Sequence, residues 1–115
     1  MKSNALKENR DFRRLYSRGK SKAAPCLVTY AMKSRYGETR VGITSSKKIG
    51  GAVQRNRARR VIRAAFSQLE MRVCGNWDLI FVARTRTTHV KMQQVLSDME
   101  KELIALGVIK NEESA

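Results

Sequence analysis

Eight residues between Lys47 and Arg63 carry the strongest chemical signal in the chain. Lys47 and Lys48 precede Ile49-Gly50-Gly51, and Arg55, Asn56, Arg57, Arg59, Arg60 and Arg63 follow. Residues 52–63 hold five arginines and no lysine. A planar guanidinium bridges two phosphate oxygens and also stacks on a base, so this choice suits RNA or DNA better than diffuse solubilising charge would. No acid interrupts the run, and like charges one helical turn apart repel by about 0.2–0.5 kcal/mol per pair, which a merely solvated helix could avoid. At about 100° per residue, Ala58, Ile62, Ala65, Phe66 and Leu69 gather on one stripe of a helix. Asn56, Arg57, Arg59, Arg60 and Arg63 then fall on the opposite side, with Arg55 at the stripe's edge. The lysine loop ahead of this helix leads its amides into the helix N-terminus, where anions are favoured. It contains no GxxxxGK[ST], so nucleotide hydrolysis is not supported.

A second constellation is aromatic. Phe12 and Tyr16 stand four residues apart in a helical pattern, and Tyr30 lies in an extended segment. Two readings are open on spacing alone: aromatics of the core, or a groove in which unpaired bases stack. Groups for protein-borne catalysis are scarce. His89 is the single histidine and has no carboxylate or nucleophile beside it. Asp98, Glu100 and Glu102 read as the polar face of an amphipathic helix, although Asp98 and Glu102 share a side that could in principle face a metal. Cys26 and Cys74 lack any zinc-ligand spacing and read as two reduced, mostly buried thiols.

The elements that would position these residues follow from periodicity. Phe12, Leu15 and Tyr16 mark a basic helix over 9–18, stopped at Gly19. A loop over 20–25 holds the only proline. Residues 26–32 read as a strand and 39–44 as its hairpin partner across Tyr36-Gly37. The arginine helix runs from Ala52 to about Arg72. Residues 77–83 are nearly all apolar, the mark of a central strand covered on both faces. A last helix, Met92 to Leu106, places Val95, Leu96, Met99, Leu103 and Leu106 together before Gly107. The expected fold class is α+β, a sandwich of one sheet with helices.

Composition agrees with a polyanion partner. The chain has 115 residues and a formal net charge of +14, with 18 basic and 3 acidic residues through Arg63 against 6 and 7 after it. An excess confined to one half suggests one electropositive face rather than general solubilisation. With 42% hydrophobic residues the chain is a folded domain, expected over 1–110, with 111–115 as a flexible tail. No apolar run approaches the ~18 residues of a membrane span, and residues 1–22 carry no signal-peptide stretch. A cytoplasmic protein is expected.

The segment from Lys47-Lys48-Ile49-Gly50 through Arg55-Asn56-Arg57 to Arg59-Arg60, Ile62-Arg63 and Phe66 resembles the RNR signature of the bacterial ribonuclease P protein subunit. The resemblance spans nearly the whole chain. Leu6-Lys7, Phe12, Tyr16 and Gly19 match the family's N-terminal pattern, Arg40-Val41-Gly42 its strand before the loop, and Asp78 to Arg84 its last strand. Gly51 and Ala64 depart from it. The resemblance implies a ribosomal-protein-like fold with a left-handed βαβ crossover. It further implies partnership with ribonuclease P RNA and precursor tRNA, whose 5′ leader is removed by the RNA subunit using RNA-held Mg2+. Neither an organic cofactor, a small-molecule substrate nor a membrane is implied. On matching positions, Lys47, Lys48, Arg55, Asn56, Arg57, Arg59, Arg60 and Arg63 would contact the catalytic RNA. Phe12, Tyr16 and Tyr30 would contact the leader. A structural ribosomal-type RNA-binding protein with no role in turnover is the alternative.

Overall fold

The computed structural model describes residues 1–111, so most of the expected tail lies outside the described residues. Its elements are β1 (Asn4–Ala5), α1 (Asn9–Arg18), β2 (Lys20–Ala23), β3 (Leu27–Lys33), β4 (Arg40–Thr44), α2 (Ala52–Leu69), β5 (Trp77–Ala83) and α3 (Met92–Ala105). Single 3-10 turns occur at Lys47–Ile49, Glu70–Arg72 and Thr85–Thr88.

All five strands form one mixed sheet in the order β1-β4-β5-β3-β2. Strand β5 is central, as its apolar run predicts, and Leu79, Ile80 and Phe81 are fully buried. Because strand side chains alternate, β5 feeds two cores. Leu79, Phe81 and Ala83 face α2 and α3 across the main core, while Ile80 faces Leu15 of α1 and Leu6 in a smaller one. The arginine helix and the first helix therefore cover opposite faces of the sheet.

Two expectations about the sheet are corrected. Strands β3 and β4 do not form a hairpin. β5 lies between them, antiparallel to β3 in the register Tyr30↔Ile80 and parallel to β4 in the register Gly42↔Ile80. The reason is burial: a β3–β4 hairpin would leave the most apolar strand at an edge, with one row of its backbone groups unpaired. The second correction concerns Lys20 to Ala23, expected as loop, which pairs antiparallel with β3. All four of its residues are exposed, so this polar edge strand has no apolar alternation to betray it. The two-residue β1, parallel to β4, is too short to leave a pattern.

The connection from β4 through α2 to the adjacent parallel β5 is the expected βαβ unit. It sets the arginine helix directly after the C-terminal end of β4.

Candidate nucleic-acid interface

On α2, Ala58, Ile62, Ala65, Phe66 and Leu69 are buried, and Asn56, Arg57, Arg60 and Arg63 are exposed. Arg55 and Arg59 are half-buried, Arg55 at the edge of the stripe as its phase requires. None of the five arginines is in an ion pair among the described residues. Arg59 instead donates to Asn56 Oδ1, which orients the amide beside the guanidinium. The eight basic and amide residues singled out by sequence thus lie on one turn-and-helix unit.

The approach to that helix is shaped by its caps. Ser46 Oγ accepts from the Lys48 N–H at 3.3 Å, opening the 3-10 turn that presents exposed Lys47 and Lys48. Gly50 follows at φ 139°, a conformation that L side chains rarely adopt, and a Cβ there would meet the Gln54 side chain at 3.1 Å. Gly51 caps α2 with no side-chain oxygen, so the first amides of the helix are left without a side-chain acceptor.

Phe12, Tyr16 and Tyr30 come together on the other face of the sheet. Tyr16 and Tyr30 meet edge to face with centroids 4.9 Å apart, and Phe12 lies 6.5 Å from Tyr16. Phe12 and Tyr30 are half-buried over Leu6, Leu15 and Ile80, whereas Tyr16 is 44% exposed. The trio is therefore both core rim and accessible surface. Gly42 is what admits Phe12: a Cβ on β4 at this position would sit 2.7 Å from the Phe12 ring. Only a residue with no side chain lets the ring lie on the strand.

What holds α1 in place is a group of four charges that pattern reading did not find. Asp78, 0% exposed on β5, accepts from Arg40 Nε at 2.9 Å, from Arg40 Nη2 at 2.8 Å and from Arg14 Nη2 at 2.9 Å. Buried Asp11 lies 3.3 Å from Arg40 Nη1 and 3.5 Å from Arg14 Nη2. The Arg40 guanidinium also sits 4.2 Å from the Tyr36 ring centroid. Hydrogen bonding to Asp78 raises the Arg40 pKa further, so its charge is permanent. Two carboxylates out of water are tolerable only when paired this fully. The quartet joins α1, β4 and β5 and fixes where Phe12 and Tyr16 stand. Its single sequence signal is a carboxylate inside the apolar run of β5.

The remaining reactive groups are dispersed. His89 is exposed, and Glu100 pairs with Arg72. Asp98 Oδ2 accepts from the Cys26 N–H at 3.0 Å. Glu102, expected on the polar face of the last helix, is 3% exposed and accepts from Thr29 Oγ1 at 2.8 Å. The register of α3 turns it inward, against β3. Burial pushes the Cys26 thiol up to about 11, with Asp98 adding to the shift, so it stays a neutral thiol. Cys74, expected buried, is exposed in the turn before β5. Among the described residues no three His, Cys, Asp or Glu side chains converge on a point, and no helix is long and apolar enough to cross a membrane.

Comparison with known proteins adds to this geometry. The family model described as Ribonuclease P matches residues 1–107. The "Ribonuclease P protein component" of Clostridium botulinum (strain 657 / Type Ba4) is 36% identical over 107 residues, covering 92% of this chain and 93% of the relative. That of Thermoanaerobacter sp. (strain X514) is 38% identical over 96 residues, 84% of this chain and 83% of the relative. Among solved structures, the Staphylococcus aureus RNase P protein superposes with a TM-score of 0.82 at 32% identity, over 95% of this chain and 100% of that one. The Thermotoga maritima RNase P protein shares the fold, with a TM-score of 0.77 at 23% identity over 94% and 99% of the two chains.

Proposed function

Because the chain belongs to the ribonuclease P protein family, we propose that its two faces divide the RNA of the ribonucleoprotein between them, catalytic RNA on one and substrate leader on the other. As a ribonuclease P protein component it works with ribonuclease P RNA in tRNA processing. In this reading Lys47, Lys48, Arg55, Asn56, Arg57, Arg59, Arg60 and Arg63 neutralise phosphates of the catalytic RNA. Phe12, Tyr16 and Tyr30 take unpaired bases of the 5′ leader of precursor tRNA, at ~1–3 kcal/mol per stacked base. The observation that carries the reading is the arginine face itself. Five guanidiniums on one helix, none ion-paired among the described residues, make a surface built for an external polyanion.

Chemistry belongs to the RNA subunit in this proposal. Five carboxylates among the described residues have protein partners: Asp11 and Asp78 pair with Arg14 and Arg40, Asp98 accepts from an amide, Glu100 pairs with Arg72 and Glu102 accepts from Thr29. Among the described residues no three such donors converge, so in this reading the Mg2+ is held by RNA. The protein lowers the electrostatic work of joining two polyanions and grips the leader, in the cytoplasm.

The test is cleavage of precursor tRNA by ribonuclease P RNA at low Mg2+ with and without the protein. Stimulation by the protein, and no cleavage by the polypeptide alone, is expected. Absence of stimulation would favour a purely structural RNA anchor, which the family membership already disfavours. Phe12→Ala is expected to weaken binding of leader-bearing precursor far more than binding of mature tRNA, and equal losses would remove the leader from the cleft.

A further inference from the structure

A cavity of about 290 Å3 opens where the sheet edge steps back, at the C-terminal end of α1. Strand β2 begins at Lys20, opposite Ala31, so the last two residues of β3, Met32 and Lys33, run on without a β2 partner. The gap exposes a floor of Ala31, Met32, Trp77 and Leu106, which is mostly apolar. Three cations stand around it: Arg18, Lys20 and Lys33. All three are exposed, and no carboxylate lines the cavity. The nearest acid in sequence, Asp78, is buried and spent on Arg14 and Arg40. The Trp77 Nε1–H donates to the Cys74 carbonyl at 2.8 Å, which orients the indole.

An apolar floor with an indole, ringed by unopposed positive charge, has the chemistry of a nucleotide site: base below, phosphates at the rim. Its floor belongs to the main-core face of the sheet, and Met32 is the residue that links it across the sheet edge to the aromatic face. Met32 packs in the small core with Phe12 and Tyr30 and lines the cavity as well. It lies two residues beyond Tyr30 on the same strand face, about 7 Å away.

We propose that the Trp77 cavity is a further nucleotide subsite, which takes a base of single-stranded RNA leaving the Phe12–Tyr16–Tyr30 cleft around the sheet edge. The subsite rests on the leader reading of that cleft.

The experiment uses holoenzyme reconstituted with ribonuclease P RNA and precursors whose leaders are lengthened one nucleotide at a time. Wild-type affinity is expected to rise again once the leader outruns the cleft, with a change in emission from Trp77, the only tryptophan in the chain. Lys20→Ala/Lys33→Ala is expected to lose that second increment, about tenfold, together with the emission change. The charge-matched Lys101→Ala/Lys110→Ala, away from the cavity, is expected to keep both. An increment that persists in the Lys20/Lys33 variant, that vanishes equally in the control, or that is missing from the wild type overturns the subsite. Phe12→Ala separates the two ideas: its loss at every leader length upholds the cleft whatever the lysines do, and no loss at any length removes cleft and subsite together.

Discussion

At the scale of single residues, Gly42 and Arg57 show two different kinds of necessity. Gly42→Ala drives a methyl group into the Phe12 ring, so a destabilisation of about 1–3 kcal/mol in urea unfolding is expected, with a parallel loss of leader affinity. Arg57→Ala and Arg60→Ala touch only solvent-facing groups and should leave unfolding unchanged. Their effect is expected on RNA, where each lost phosphate contact lowers the slope of log K against log salt by roughly 0.7–0.9. An unchanged slope in a salt titration of RNA binding would show that these arginines meet no phosphate. The arginine positions were legible because a charge run and a 3.6-residue apolar stripe interlock in one segment. The role of Gly42 was not, since nothing local signals that an aromatic ring 30 residues away lies on it.

Between residues and the whole molecule stand the elements, and here the decisive contacts are long-range. Arg14 reaches Asp78 across 64 positions of sequence, a pairing no periodicity encodes. Asp78→Asn would leave Arg14, Arg40 and Asp11 with uncompensated charge beneath α1. A loss of about 3–5 kcal/mol is expected in denaturant unfolding, as for other broken buried pairs. Helix α3 has a parallel device. Burial pushes the Glu102 carboxyl up to about 8, against the pull of the Thr29 hydroxyl, with Asp98 raising it and Arg84 lowering it. Its ordinary value is 4.5, so between there and about 8 the native state holds a proton that the unfolded chain has released. Stability should therefore fall as pH rises through that window, by up to about 1.4 kcal/mol per unit. Glu102→Gln is expected to flatten the dependence, measured by thermal unfolding from pH 5 to 9. The helices and β5 were readable from sequence to within a few residues, whereas pairing was not. The hairpin expectation failed because strand order is decided by which strand most needs two neighbours, a property of the set of strands.

For the molecule as a whole, charge is segregated: the basic half supplies α1, the lysine turn and most of the arginine helix, while β5 and α3 come from the nearly neutral remainder. Assembly with RNA should be steeply salt-dependent for that reason, and reconstitution followed across a salt series checks it. The central place of β5 also bears on how the molecule is made. Strands β3 and β4 both wait for a partner that lies beyond α2, and Asp78 is the anchor for α1. During synthesis from the N-terminus, a polycation of some 76 residues therefore emerges before the strand that joins the β1–β4 and β2–β3 pairs into one sheet. Such non-local closure makes for slow folding. A chain truncated after Asn76 is expected to show no cooperative unfolding transition, although it retains every residue of the arginine face. The arginine face is thus complete in sequence before the strand that seats it, and it gains a fixed shape only when β5 has paired on both sides and α3 has closed the core over α2.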